Sequence, residues 1–384
     1  MSLPRSGPAA QPDTAHDVRF MRLALSLGAR NLGRTWPNPA VGAVVVGEGT
    51  DGPVILAQGI TQPGGRPHAE RIALENAGEA ARGGTLYVSL EPCSHHGRTP
   101  PCVDAVLRAG VARVVTAIED PDPRVSGRGH RLLQSQGVSV STGVLRPEAE
   151  RVHRGHITRV ALGRPAVTVK LAQTRDGMAG SRGPPRLLIT GEPAGQRVHL
   201  MRAHADAILV GIETVLADDP LLTVRLPGIE ERSPVRVIVD SRLRTPVTSR
   251  LVATANEVPT WVITTPRAPP DAEQALAARG VEIIRVRAGD DGRVDLSEAL
   301  AGLSARGMTR IFCEGGPGLA EALAGADLID ECVLITGEAS TGGNIPAVGG
   351  ALTGLLARMR RHPDERYGAD LFVIYERPSC LREL

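Results

Sequence analysis

The sequence predicts an α/β protein of two domains. Three observations carry this. Short apolar strands alternate with amphipathic helical stretches along most of the chain, the pattern of layered α/β architectures. Its 384 residues are too many for one ordinary domain and comfortable for two. A hydrophobic content of 42% supplies a core for each half.

The elements follow in order. Residues 1–16 contain no apolar stretch and read as a flexible arm rather than a signal peptide. Residues 17–28 repeat their apolar positions at helical spacing, and Gly28 stands near the end. TWPNP is a turn. VGAVVVG and VILAQGI form two strands, and PGGRPHAERIALENAG passes from loop into helix. TLYVSLEP is a strand, CVDAVLRAG a helix and ARVVTAIED a strand, followed by a helix at 129–137 and a strand at 138–144. This first domain is assigned to 17–146, and 147–163 is a connecting helix that serves as linker. The second domain, 164–384, opens with the strand PAVTVKLAQT and continues with a helix over 198–205. DAILVGIET, VRVIVD, VPTWVITT, VEIIRV and RIFCEGG read as strands of a largely parallel sheet, with helices AEQALAARG, LSEALAGLSARG and GLAEALAGA between them. Residues 181–186 and 226–234 are loops.

Composition excludes several function classes. A net charge of +2 gives no electrostatic footprint for nucleic acid, and 2% aromatic residues leave no row of stacking platforms. No run of about 18 apolar residues is present, so no membrane span is expected. Five cysteines in a chain of this length do not suggest a disulfide framework, and the cytoplasm is the default location. The 44 basic residues include one lysine, Lys170. Two readings stand for it: chance, or a place where a planar guanidinium cannot replace a compact ammonium.

The strongest chemical signal is PHAE followed by EPC and PPC. One imidazole (His68) and two thiolates (Cys93, Cys102) make three ligands suited to Zn²⁺, and a catalytic zinc keeps its fourth position for water. Bound zinc lowers the pKa of that water to about 7, and Glu70, two residues after His68, is placed to shuttle the proton. H-x-E…P-C-x-x-C is the signature of zinc deaminases of aminated heterocycles. Here eight residues, SHHGRTPP, separate the cysteines. A loop lodged between two ligands lies at the mouth of the site, where Arg98 and His95 would meet an anionic group such as a phosphate. A structural zinc site is the competing reading, but it would want a fourth ligand and would not need Glu70. His95 or His96 is either that ligand or a solvated loop residue. Asn38 is either a contact to a heterocycle edge or plain Asn-Pro turn chemistry.

With these residues in place the chain resembles a known family. TWPNPAVGAVVV, GGRPHAERIAL, TLYVSLEPCSHHGRTPPC and AGVARVV resemble the deaminase domain of the bifunctional riboflavin-biosynthesis deaminase–reductases. GRPAVTVKLAQTRDGMAG, VHLMRAHADAILVGIETVLADDPLLTVR, VRVIVDS and EGGPGLAEAL resemble their reductase domain. The resemblance implies a cytidine-deaminase-like α/β/α layer domain followed by a dihydrofolate-reductase-like α/β domain. It implies deamination of 2,5-diamino-6-(5-phosphoribosylamino)pyrimidin-4(3H)-one, then reduction of the ribosyl to a ribityl side chain with NADPH. It also implies a homo-oligomer. Carried over position by position, His68, Cys93 and Cys102 match the zinc ligands, Glu70 the proton donor, and Asn38, His95 and Arg98 the substrate contacts. In the second domain Lys170, Arg186, Arg202, Leu222, Arg225 and Glu314 fall on the substrate side. Gln173, Leu188, Thr214, Asp218, Ser241 and the turn Gly316, Pro317, Gly318 fall on the NADPH side. Lys170 and Asp218 are thereby candidates to assist the reduction. The glycine amides at the start of the helix in EGGPGLAEAL suit a cofactor phosphate.

Two departures stand out. Arg186 and Leu188 occupy the places where the family has a serine and a tryptophan. Thr61 stands seven residues before His68, where a histidine is frequent. A nucleoside deaminase fused to a pteridine-type reductase, or a non-catalytic zinc module, would share part of these motifs. The cysteine spacing argues against the first, and the low charge and scarce aromatics against the second.

Overall fold

The computed structural model describes residues 15–96, 100–180, 188–340 and 344–378. The chain divides into two compact units that meet in sequence at Ala161 and Leu162.

The N-terminal unit comprises α1 (Ala15–Ala29), β1 (Gly42–Gly49), β2 (Gly52–Ile60), α2 (Ala69–Ala77), β3 (Thr85–Val88), α3 (Cys102–Ala109), β4 (Arg113–Thr116), α4 (Arg128–Ser135), β5 (Ser139–Ser141) and α5 (Arg146–Leu162). The five strands form one sheet in the order β2-β1-β3-β4-β5. β1 is antiparallel to β2 and β3, and β3, β4 and β5 are parallel. Val44 and Val45, Leu86 and Val88, and Val114 and Val115 are buried in the core, as apolar runs bounded by turn residues require. Ala149 and Ile157 of α5 join the same core, so the stretch at 147–163 is a packed helix.

TLYVSLEP pairs as a strand only to Val88; beyond it Ser89 N–H reaches Gly42 O and Glu91 N–H reaches Ile118 O, and Pro92 has no N–H to continue a ladder. Helix α2 rests directly on β2. A Cβ added to Gly59 would lie 2.1 Å from the backbone oxygen of Ala69, so only glycine lets the two backbones approach this closely.

The C-terminal unit runs β6 (Ala166–Gln173), β7 (Met178–Gly180), α6 (Glu192–Ala203), β8 (Ala207–Gly211), α7 (Ile212–Asp218), β9 (Val235–Val239), α8 (Arg250–Ala253), β10 (Thr260–Thr264), α9 (Pro270–Ala277), β11 (Glu282–Arg285), α10 (Leu296–Ala305), β12 (Arg310–Cys313), α11 (Pro317–Gly325), β13 (Glu331–Thr336), β14 (Ile345–Pro346), α12 (Gly350–Leu356), β15 (Arg360–Arg361), β16 (Glu365–Tyr367) and β17 (Asp370–Glu376). Its main sheet has the order β11-β10-β9-β8-β12-β6-β13-β17-β15, with β16 paired to β17. From β11 to β13 all neighbours are parallel, and β17 and β15 extend the sheet antiparallel. One expectation is corrected. DAILVGIET is not a strand throughout: β8 ends at Gly211, whose extended backbone caps α7, and Ile212 onward is helical. A long apolar run has no period that separates strand from buried helix.

After β8 the chain moves outward through β9 to β11; after β12 it moves the other way, past β6 to β13. The carboxyl ends of the adjacent strands β8 and β12 therefore form a topological switch point, the place where open α/β sheets leave a ligand crevice. At the opposite ends of these strands Asp206 ties them together. Its carboxylate accepts from Thr309 N–H (2.6 Å), Thr309 Oγ1 (2.8 Å) and Arg310 N–H (2.9 Å).

The Gly59 contact makes the first prediction. Gly59→Ala should lower the stability of the N-terminal unit by about 1–3 kcal/mol, the usual cost of overpacking a core. Urea unfolding followed by circular dichroism measures it.

Candidate functional site

The first site is built by three chain segments at the ends of elements. His68 is the N-cap of α2 and Cys102 the first residue of α3, while Cys93 follows the segment that leaves β3. His68 Nδ1 lies 3.3 Å from Cys102 Sγ and 3.7 Å from Cys93 Sγ, and the three donor atoms lie within 4.8 Å of one another. Cys102 N–H donates to Cys93 Sγ at 3.3 Å, and Val103 N–H to Cys93 O at 3.2 Å. The N-terminus of α3 thus faces the Cys93 sulfur, where its partial positive charge favours a thiolate. Hydrogen bonding from Cys102, with help from His68, lowers the Cys93 pKa to about 4. The hydrogen bond to Cys93 and burial push Cys102 upward. The bond to Cys93 also raises His68. Glu70, in the first turn of α2, is buried, and desolvation raises its pKa, which suits a group that must hold and release a proton. One imidazole nitrogen and two sulfurs at this spacing fit a zinc ion with a position left for water.

The other expected residues of this unit divide. Asn38 commits one amide hydrogen to Gly65 O (2.8 Å), and its turn is closed by Thr35 Oγ1 donating to Asn38 O (3.0 Å). Its Oδ1 is the atom the loop contact does not use. His95 and His96 are exposed on the loop after Cys93, and Arg98 lies outside the described residues. Thr61 is buried, and its Oγ1 accepts from Val41 N–H (3.1 Å), so it belongs to the frame of the domain.

Glu91, two residues before Cys93, was not anticipated. Its buried carboxylate accepts from four backbone N–H groups, those of Asp120 (3.2 Å), Gly127 (2.9 Å), Gly129 (2.9 Å) and His130 (3.4 Å). Three of these are N-terminal donors of α4, so Glu91 caps that helix from a distance. A Cβ at Gly129 would lie 2.3 Å from Pro92 O, which shows how closely α4 is drawn onto the segment that carries Cys93. The sequence signal was an acid directly before Pro-Cys, answered by the glycines of SGRG.

The second site lies at the switch point. Lys170 and Gln173 come from β6, Thr214 from α7 after β8, Ser241 from the turn after β9, and Glu314 and Gly316 from the end of β12. The topology brings these to the same carboxyl edge of the parallel sheet. Glu314 is its electrostatic centre. Its buried carboxylate takes Arg202 Nε at 2.5 Å and Nη2 at 3.0 Å, with Lys170 Nζ at 3.8 Å. Burial alone would raise the Glu314 pKa; Arg202, then Lys170, outweigh it and hold the carboxyl below its usual range. Arg202 Nη1 also donates to Thr223 O at 2.9 Å. Leu222 is buried with a left-handed backbone (φ 53°), and Arg225 is exposed beside it.

Gln173 Nε2 donates to Thr336 Oγ1 (3.0 Å), and Ser241 Oγ accepts from Val294 N–H (3.0 Å). Gly316 is the N-cap of α11, with Pro317 and Gly318 in its first turn. Thr214 and Asp218 are half-buried on α7, and Leu188 is 83% exposed. Arg186 lies outside the described residues.

A three-donor metal centre with a buried glutamate is the arrangement of a zinc-type deaminase, and it is followed in the chain by an α/β unit with an ion-paired cluster at the switch point of its parallel sheet. The comparisons agree. Residues 14–118 match the cytidine and deoxycytidylate deaminase zinc-binding region, and residues 165–371 match the RibD C-terminal domain. The riboflavin biosynthesis protein RibD of Aquifex aeolicus is 37% identical over 94% of this chain and 98% of its own length. That of Escherichia coli is 40% identical over 83% of this chain and 86% of its own. The solved structure of Acinetobacter baumannii RibD superimposes with a TM-score of 0.81 at 32% identity, covering 94% of this chain and 98% of that one. A Thermotoga maritima structure described as a diaminohydroxyphosphoribosylaminopyrimidine deaminase/5-amino-6-(5-phosphoribosylamino)uracil reductase gives 0.79 at 32% identity over the same shares. The chain belongs to the RibD family of riboflavin biosynthesis proteins. It is a bifunctional enzyme, with a zinc-dependent, cytidine-deaminase-like unit and an NADPH-dependent reductase unit of dihydrofolate-reductase-like fold.

Arg202→Met would leave Glu314 buried with only the more distant Lys170. Breaking a buried pair this way should cost about 3–5 kcal/mol, read as a lower urea midpoint of the C-terminal unit.

Proposed function

We propose that the N-terminal site deaminates 2,5-diamino-6-(5-phosphoribosylamino)pyrimidin-4(3H)-one to 5-amino-6-(5-phosphoribosylamino)uracil. The C-terminal site then reduces the ribosyl side chain of that product to ribityl. The observation that carries the reading is the His68–Cys93–Cys102 donor set with buried Glu70 at its side, in one chain with the Glu314–Arg202–Lys170 crevice. The Thermotoga maritima relative bears the name of both activities. The reading takes 17–146 as the deaminase domain, 147–163 as the connection and 164–384 as the reductase domain. It also takes the cytoplasm as location and a homo-oligomer as the working form. Free cysteines among the described residues, and no described helix long and apolar enough to cross a membrane, are consistent with that location.

Bound zinc would supply a water nucleophile at neutral pH. Glu70 takes the two protons of that water in turn and returns one to the ring nitrogen and one to the departing amine, which leaves as ammonia. Burial raises the Glu70 carboxyl above its usual range and so favours its holding a proton. Asn38, His95 and Arg98 orient the pyrimidine and meet its phosphate. Bound NADPH would supply the hydride to the anomeric carbon of the opened sugar imine. Lys170 offers N–H donors beside it, to the phosphate or to the imine nitrogen. Asp218 assists from α7, and Arg202, Leu222, Arg225 and Arg186 line the substrate side. Gln173, Leu188, Thr214, Ser241 and the Gly316–Gly318 turn line the cofactor side.

Mass spectrometry of products from the diaminopyrimidine tests both halves. One amino-to-oxo exchange is expected without NADPH, and a further gain of two hydrogens with it. Ammonia release from cytidine or deoxycytidylate alone would sink the reading. Glu70→Gln should keep its zinc, measured by metal analysis, and lose at least about 100-fold in ammonia release, as removal of a general acid–base does. Lys170→Arg should leave ammonia release intact and impair NADPH oxidation.

A further inference from the structure

Helix α6 presents His199 and Arg202, one turn apart, to the loop 221–225. Val224 N–H in that loop donates to Ser233 Oγ (3.0 Å) and Leu221 O accepts from Arg236 Nη1 (3.3 Å), and two further bonds tie the loop to α6. Arg202 Nη1 donates to Thr223 O (2.9 Å), and the backbone N–H of Arg225 donates to His199 Nδ1 (3.2 Å). Between them Leu222 is a non-glycine residue in the left-handed region, a conformation that persists only when its surroundings fix it. Arg225 emerges from this loop exposed; desolvation first, then Arg202 and Arg250, lower its pKa, against the opposing pull of Glu314. A guanidinium held among other cations calls for an anion. His199 stands inside the same positive field.

We propose that His199 is a positioning residue of the reductase site: its Nδ1 lone pair fixes the backbone of Arg225 and so sets where the Arg225 guanidinium meets the anionic group of the substrate. The proposal rests on the reading of Arg225 as a substrate-side residue. Its chemistry requires a neutral imidazole, since a protonated Nδ1 would turn a donor toward the Arg225 N–H. The surroundings enforce this. Burial first, then Arg202 and Arg225, hold His199 down to about 4, against the opposing pull of Glu314 and of the Thr223 backbone. The imidazole therefore keeps its acceptor through the neutral range, with its proton on Nε2. An apolar residue here would fill the space but leave the N–H to solvent in place of a fixed acceptor.

The test uses the full-length enzyme and follows NADPH oxidation with the deaminated pyrimidine. His199→Leu should raise the substrate KM about tenfold, the scale of one hydrogen bond, with kcat and the KM for NADPH within about twofold. His199→Gln, whose Oε1 can accept the same N–H, should recover most of that loss. In an Arg225→Ala background, His199→Leu should add less than about twofold, because the residue it positions is gone. Ammonia release by the same variants, made at the other site, controls for folding. An unchanged substrate KM in His199→Leu overturns the proposal. So does a loss that Gln does not recover, or one that persists in full in the Arg225→Ala background. Calorimetry with ribose 5-phosphate separates this from the functional reading. Weaker binding by His199→Leu than by the unaltered enzyme supports the positioning role even if the pyrimidine is not turned over, and equal binding overturns it.

Discussion

A carboxylate taken out of water must be given donors, and both units of this protein use that demand to fix a site. Glu91 is buried at the end of the segment leaving β3, and the donors that satisfy it are backbone N–H groups at residues 120–130. Because three of these donors belong to the start of α4, the segment bearing Cys93 cannot shift without unsealing a helix end. Glu314 plays the corresponding part in the second unit. Its partners come from α6 and β6, and the Arg202 fork that satisfies it also grips Thr223 O, so the substrate-side loop takes its position from the same charge. A buried charge left half-satisfied costs more than it contributes. The elements around each carboxylate are therefore bound into one arrangement.

The zinc site shows what the chain's own charges can and cannot do. Cys93, Cys102 and Glu70 compete for few protons in a buried space. Cys93 falls to about 4 through the hydrogen bond from the Cys102 side chain, helped by His68 and the α3 N-terminus, while Cys102 and Glu70 are both pushed upward. The second thiolate repels the first and is itself desolvated. A divalent cation at the three donors removes that conflict, because it makes two adjacent thiolates favourable. Glu70, which is not a ligand, is then the group left to exchange protons. Its position in the first turn of α2 follows from the same helix that places His68 at its N-cap.

The legibility of the two sites in the sequence differs for a physical reason. The metal ligands sit at the first turns of helices and after a strand, so PHAE, EPC and PPC show them as short motifs beside recognisable elements. The reductase residues gather from β6, α6 and β12, and Lys170 and Glu314 are brought together only by the strand order β12-β6. No local period encodes that order, and resemblance to a family carried the assignment. His199 and Glu91 escaped notice because each acts on backbone N–H groups of distant residues, which no side-chain pattern records. DAILVGIET misled for another reason: the buried Ile212 that opens α7 continues the apolar run of β8. Arg236 lay inside an apparently apolar strand, and is fully buried there by bonds to Leu251 O (3.0 Å), Thr254 O (2.9 Å) and Val258 O (2.7 Å).

The solitary lysine is intelligible from the same geometry. Both oxygens of Glu314 already receive the planar fork of Arg202. A second guanidinium at position 170 would bring a rigid set of donors to a carboxylate whose best directions are taken. It would also carry its own plane into the crevice at the end of β6. An ammonium needs no coplanar acceptor; it sits at 3.8 Å from Glu314 Oε2 as a point charge and keeps its N–H groups free to turn toward a ligand. In a chain whose other basic residues are all arginine, this is the position where the shape of the cation matters as much as its charge.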